Sequence, residues 1–328
     1  MPMKVKRYST ELMPLWDAFV RTSRNGIFMF LRQYVEYHAD RFPDHSLMLF
    51  DDTDRLVALL PATEQTDESQ KVFSSHAGLT FGGFVLSPQT KAHEVISLFS
   101  ATLGYLRQHH FDRFVYKAAP VIYHQCPSED VDYALWLNGA QLAVCNLSTC
   151  IDLHSPLALA FDRNRRRGQR KALRRGYSVA ETDDLGELWP IVTESLISKY
   201  GVQPVHSMSE IALLRQRFPQ NIRVVVARLD GKVSGGIVIY ESAQVAHSQY
   251  AHATPEAKAS GVIDMLYIHL IEYYKSQRPE IRYFDFGISN TDGGLFLNRN
   301  LIAYKEDYGG RGVSYKTYVI DLRNSDKA

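Results

Sequence analysis

Five short anchors in this chain recur in one order at a spacing of roughly 170 residues, and that repeat limits the possible folds more than any local propensity. Asp184-Leu-Gly-Glu-Leu-Trp189 echoes Glu11-Leu-Met-Pro-Leu-Trp16, and Arg217-Phe-Pro219 echoes Arg41-Phe-Pro43. A hairpin over 223–240, turning at Asp230-Gly231, matches one turning at Asp52. Thr254-Pro255 before a helical stretch matches Ser87-Pro88, and Arg282-Tyr-Phe284 matches Arg113-Phe-Val115. The repeated unit reads helix, helix, hairpin, strand, helix, strand. Its hairpins call for a mixed, mostly antiparallel sheet flanked by helices, because a parallel sheet would need a crossover at every step. The expected organisation is α/β (α+β) in two domains, 1–150 and 151–328, which suits 328 residues.

Local patterns supply the parts. Leu12, Leu15, Trp16, Phe19 and Val20 have helical spacing, and a second helix is expected from Phe30 to Arg41, stopped by Pro43. Leu47–Phe50 and Leu56–Leu60 read as paired strands, and polar Thr63–Lys71 as a loop. Phe81–Leu86 reads as a strand with a glycine break. Ser87-Pro88 reads as the N-cap and first turn of a helix burying Val95, Ile96, Phe99, Leu103 and Leu106. The matching helix after Thr254-Pro255 buries Val262, Ile263, Leu266, Leu270 and Ile271.

Charge is nearly balanced, 37 basic against 36 acidic residues, so no overall field draws the protein to nucleic acid or membrane. Against that neutral background stands Arg163–Arg175, with eight basic residues in thirteen. Arg163, Arg167, Arg170 and Arg174 share one helical face, and such a stripe suits phosphates. Arg166, Arg167 and Arg170 are expected to hold a phosphate-bearing substrate, and Gly168 predicts a bend or a close backbone approach; the plainer alternative is a solvated linker helix. Three cysteines without metal spacing read as reduced thiols of a cytoplasmic protein, and no apolar run is long enough to span a membrane.

The second cluster of candidates lies in Ile281–Gly310. An aromatic strand places Asp285 between Phe284 and Phe286, where a carboxylate needs a partner. It stops at Gly287 before a polar, glycine-rich loop containing Ser289, and runs past Asn298 to Tyr304-Lys305. Aminolysis of an ester or thioester requires a proton acceptor and a positive partner for the tetrahedral oxyanion. Lys305 can supply the charge, and Asp285 or His247 can take the proton or position the acceptor. Tyr250, Tyr116 and Lys117, at matching strand ends, are expected to line a cleft between the halves. No nucleophile elbow, metal-ligand cluster or redox motif accompanies them.

The duplicated unit, the basic helix opening its second copy, and Asp285-Phe-Gly-Ile-Ser … Asn298 … Leu301 … Tyr304-Lys305 … Tyr308-Gly-Gly resemble the GNAT superfamily. Within it the likeness is to the Fem-like aminoacyl and acyl transferases with two tandem GNAT domains. The resemblance covers most of the chain. It implies transfer of an acyl or aminoacyl group to an amine of a sugar- or peptide-containing envelope precursor, with acyl-CoA or aminoacyl-tRNA as donor and no tightly bound cofactor. It also implies that Lys305 supports the transition state and that Tyr304 contributes its backbone. Two departures stand out. Lys258-Ala-Ser-Gly261-Val-Ile263 keeps one basic residue and one glycine of the Arg/Gln-x-x-Gly-x-Gly/Ala pyrophosphate loop, and the helical hairpin that some Fem proteins insert is missing. Two other readings stay open: a non-catalytic GNAT-like module for a phosphate-bearing ligand, and an RNA-binding protein acting through the arginine stripe, for which aromatics interleaved with the charges are lacking. The expected partners are a small or nucleotide-linked substrate, with tRNA as a further option and DNA excluded.

Overall fold

The computed structural model describes residues 3–157 and 160–323. Two compact units are formed, and neither is a contiguous segment. Among the described residues the first comprises 3–146, 292–296 and 314–323, and the second comprises 147–157, 160–291 and 297–313.

In the first unit β1 (Lys4–Arg7), α1 (Met13–Thr22) and α2 (Arg32–Val35) lead to β2 (Leu47–Phe50), β3 (Leu56–Leu60), β4 (Thr63–Asp67), β5 (Gln70–Ser74) and β6 (Val85–Leu86). Then follow α3 (Ala92–Gln108), β7 (Arg113–Lys117), α4 (Asp130–Leu137) and the opening of β8 (Gln141–Asp152). The order β1-β2-β3-β6 is antiparallel throughout. A second ladder runs β4-β5-β7, with residues 317–321 antiparallel to β7. Val95, Phe99, Leu103 and Leu106 of α3 are buried beside Phe73 and Phe114.

Three local expectations change here. Thr63–Lys71 forms most of the β4–β5 hairpin rather than a loop; consecutive residues 65–69 are exposed, so the outer half of the hairpin carries no apolar alternation to read. The expected helix 30–41 is broken into short turns, with the Phe30 carbonyl accepting from the Trp16 indole at 2.8 Å. Ser87-Pro88 makes a turn closed by Thr90 N–H on Ser87 O, and α3 starts later, capped at Lys91 with Glu94.

The second unit starts with α5 (Arg163–Arg174), then β9 (Ser178–Glu181), α6 (Leu188–Tyr200), α7 (Met208–Arg217), β10 (Ile222–Leu229), β11 (Lys232–Glu241) and β12 (Val245–Ala253). The short α8 (Pro255–Ala259) precedes α9 (Val262–Gln277), β13 (Tyr283–Ile288), β14 (Asn290–Thr291) and α10 (Arg299–Glu306), while β15 (Phe296–Leu297) and β16 (Arg311–Asp321) are each divided between the two units. Its sheet has the order β8-β13-β12-β11-β10-β9. All neighbours are antiparallel except β12 and β13. Thus β9-β10-β11-β12 repeats β1-β2-β3-β6 in order and direction. The core lies between the sheet and α9, where Leu266, Ile268, Leu270 and Tyr274 meet Phe284 and Phe286. Thr254 caps α8, its side chain accepting from Ala257 N–H.

Candidate active site

The parallel pairing of β12 with β13 covers only Val245–His247 against Tyr283–Asp285. Past that point the second unit holds a cavity of about 630 Å³, lined by the end of β12, the start of α9, α10, Arg165 of α5, Lys258 of α8, and Ser195 and Lys199 of α6. A bulge decides what β12 shows to it. Val238 faces Tyr250 while Ile239 faces Ser248, leaving Gln249 as the extra residue. Ser248 bonds the Tyr267 hydroxyl of α9 at 3.1 Å. After the bulge, Tyr250 packs edge-on against Trp189, and His252 bonds Ser195 Oγ through Nδ1 at 2.9 Å. Ser195 and His252 both line the cavity.

Lys305 is buried and also lines it. Its ammonium donates to Gly287 O at 2.7 Å and Ile288 O at 2.8 Å, which leaves a third N–H for a ligand. Burial lowers its pKa to about 8, with Asp285 pulling the other way. Asp285 is fully buried and its carboxylate is occupied. One oxygen accepts from Ser148 Oγ at 2.5 Å and Gly287 N–H at 3.2 Å, and the other meets His247 Nδ1 at 2.7 Å. Asp285 thus holds the turn whose carbonyls hold Lys305, and it has no surface through which to touch a substrate.

Asp264, in the first turn of α9, is a second junction. Its Oδ1 accepts from Arg165 at 2.8 Å, Tyr304 OH at 2.9 Å and Tyr308 OH at 2.7 Å. Burial and the adjacent carboxylate push both phenols up. The Arg165 guanidinium lies over the Tyr304 ring, 4.3 Å from its centroid. The backbone of α5 reaches α9 because position 168 is glycine: a Cβ there would lie 1.8 Å from Asp264 Oδ2. Gly261, with φ +87°, is equally tight, since its Cβ would meet Gly168 O at 2.3 Å. Close approach, and no bend, is therefore what Gly168 provides.

The remaining expected residues fall into two groups. Tyr304, Lys305 and Asn298 line the cavity; Asn298 also caps α10, its Oδ1 accepting from Leu301 N–H at 3.0 Å. The others lie elsewhere. Arg166 pairs with Glu272 at 2.8 Å, Arg167 bonds Asn164, and Arg170 is exposed; Arg165, in the same basic run but off the predicted face, is the arginine that lines the cavity. Tyr250 is buried, its hydroxyl 2.7 Å from His206 Nδ1, and Ser289 is buried. Tyr116 is sealed in the first unit, accepting from Phe84 N–H at 2.9 Å, and Lys117 is spent on the carbonyls of His76, Ala77 and Leu79. Sequence reasoning missed His252, Ser195, Lys199 and Asp264. Only Asp264 had a signal, in the Tyr304/Tyr308 spacing that stacks two phenols on one helix face. Among the described residues no three His, Cys, Asp or Glu are placed to hold a metal ion, and no helix is long and apolar enough to cross a membrane.

Residues 160–306 match the family described as acetyltransferase (GNAT) domain. Solved structures match over almost the whole chain. FemX aligns at 11% identity and TM-score 0.70, covering 96% of each chain. L-PGS from Bacillus licheniformis aligns at 14% and 0.61, covering 98% of this chain and 94% of that one. A tandem GNAT protein from the clavulanic acid biosynthesis pathway aligns at 14% and 0.53, covering 99% and 100%. No curated protein matches the sequence. Residues 160–306 thus carry the GNAT domain match, and with its α/β units, mixed sheets and flanking helices the chain has the fold of the FemX structure and of the tandem GNAT protein.

Proposed function

We propose that the protein is an N-acyl or N-aminoacyl transferase whose chemistry takes place in the cavity of the second unit. The observation that carries this reading is Lys305: a buried ammonium, fixed by two carbonyls, with one N–H left at a cavity wall. Positive charge held in a water-poor site is what an acyl-transfer oxyanion requires. Around it the lining suits an anionic donor. Lys199, Lys258 and Arg165 project from three elements, and α9 begins there with the unpaired N–H groups of a helix N-terminus. Asp264 in that first turn is already matched by Arg165, so it does not repel a phosphate as a free carboxylate would. The donor class this supports is a phosphate-bearing carrier, acyl-CoA or aminoacyl-tRNA. The acceptor class is an amine on a sugar- or peptide-containing envelope precursor.

The test is incubation of the protein with acetyl-CoA or alanyl-tRNA and a set of amines (glucosamine, glycinamide, lysine, muramyl peptides), with new amides read by mass spectrometry. Amide formation that is lost in Lys305→Ala supports the reading. Donor binding without any amide supports instead a non-catalytic binding module, which the single glycine of the Lys258–Ile263 loop favours.

A further inference from the structure

Transfer to an amine needs a group that takes a proton inside the cavity, and neither expected base is placed there. Asp285 is closed off, and His247 is bonded to it and is not part of the cavity wall. One imidazole does line that wall. His252 stands just past the Gln249 bulge, with Nδ1 held by Ser195 and no protein partner on Nε2 among the described residues.

We propose that His252 is the general base of the transfer reaction, with Ser195 as the residue that sets its tautomer; this rests on the transferase reading above. When Nδ1–H donates to Ser195 Oγ, the Nε2 lone pair faces the cavity. Attack of the neutral amine forms a C–N bond at the donor carbonyl and gives an oxyanion beside Lys305 and an ammonium nitrogen. His252 Nε2 takes one proton from that nitrogen. Collapse of the oxyanion breaks the C–S bond of a thioester, or the C–O bond of an ester. The imidazolium returns the proton to the departing sulfur or oxygen, leaving an amide, a free thiol or hydroxyl, and neutral His252. Atoms and charge balance with no further reactant.

The surroundings keep the ring neutral before the donor arrives. Burial chiefly, then Lys258 and Lys199, hold its pKa near 4. The other charged groups of the cavity are Lys305, Arg165 and Asp264, the last two paired with each other. A donor whose phosphates sit on Lys258 and Lys199 removes their push and raises the basicity of His252, so that the base gains strength only when there is something to transfer. Ser195 acts through His252 and is a positioning residue.

Two measurements test this. In the intact wild-type protein, nitrogen-15 NMR of the histidine rings, with free CoA as the probe, should show His252 as the Nδ1–H tautomer with a pKa that rises by at least one unit on CoA addition. An Nε2–H tautomer, or a pKa indifferent to bound CoA, overturns the proposal. In transfer assays with acetyl-CoA or alanyl-tRNA and the amines above, His252→Ala should lose about 10²–10⁴-fold in kcat and recover part of it with added imidazole. Ser195→Ala should lose less and shift the acid limb of the pH profile. If the wild type transfers and His252→Ala equals it, or folds normally but is not rescued by imidazole, the base assignment alone falls. A wild type that transfers to no amine sinks the transferase reading, and this step with it.

Discussion

Lys305 combines two properties that oppose each other: its site needs the charge, and burial disfavours it. The compromise sets a pH window. Its pKa lies near 8 in the folded protein against about 10.5 for an ordinary lysine, so between these values the unfolded chain binds more protons than the native one. Stability from this group therefore rises with pH across that window; below about 8 it is charged in both states and contributes no slope. Activity runs the other way, because the ammonium that faces the oxyanion is lost as pH climbs through 8. The expected kcat/KM profile has an alkaline limb near pH 8, in the range where denaturation should show this group's contribution to native stability growing. A rate that keeps climbing to pH 10 would remove the ammonium from the mechanism. Lys305→Ala should fold and bind donor but lose about 10²–10³ in rate, as expected for one lost oxyanion partner.

At the scale of elements, the crossing of α5 and α9 gives a prediction whose sign separates two effects. Alanine is intrinsically better than glycine in a helix by about 1 kcal/mol, so a solvated linker helix would gain from Gly168→Ala. Here the added methyl would fall on Asp264 Oδ2, a carboxylate already bound by Arg165, Tyr304 and Tyr308. The expected result is a net loss of about 1–3 kcal/mol by chemical denaturation, the cost of overpacking. A stabilised Gly168→Ala would mean that the helices do not touch there. The same crossing shows what could be read from the sequence. The basic run announced a helix, and Gly168 announced either a bend or a close approach, of which the structure has the second. The arginine that enters the cavity, Arg165, is off the predicted stripe, because α5 is oriented by its small residues, Gly168 and Ala172, rather than by its charges. His252 was unreadable for a different reason. Strict alternation from Ser248 puts 250 and 252 on the face of Tyr267, and only the extra residue Gln249 turns them toward Trp189 and Ser195. A bulge is set by the partner strand, so the strand's own pattern does not contain it.

Across the whole molecule, the repeat of about 170 residues gives the order of elements but not the ownership of the last strand of each copy. The contiguous division at 150/151 cuts through β8, whose residues 147–152 belong to the second unit and pair with β13. The end of β16 returns to the first unit, where Thr317–Asp321 pair with Lys117–Arg113. Sequence periodicity cannot show this, because a strand has the same pattern whichever neighbour it joins. The arrangement has a physical consequence. Deleting the chain after Val313 leaves the bulk of the first unit in place but strips β7 of its antiparallel neighbour, exposing a row of unpaired backbone groups. The leading edge is not neutral: Phe114 and Tyr116 of β7 are core residues, and Ile320 and Leu322 are buried beside them. Hydrogen exchange on a chain ending at Val313 should show protection lost at Arg113–Lys117 and along β5, while the β10–β11–β12 ladder of the second unit keeps its slow amides. Equal protection of β7 in the truncated and full-length proteins would show that the strand return contributes nothing to the first unit. For the same reason, residues 1–150 expressed alone should behave as an incomplete sheet. They should be restored by adding residues 314–321 at the C-terminus through a flexible linker, a gain readable as a cooperative thermal transition that the unextended fragment lacks.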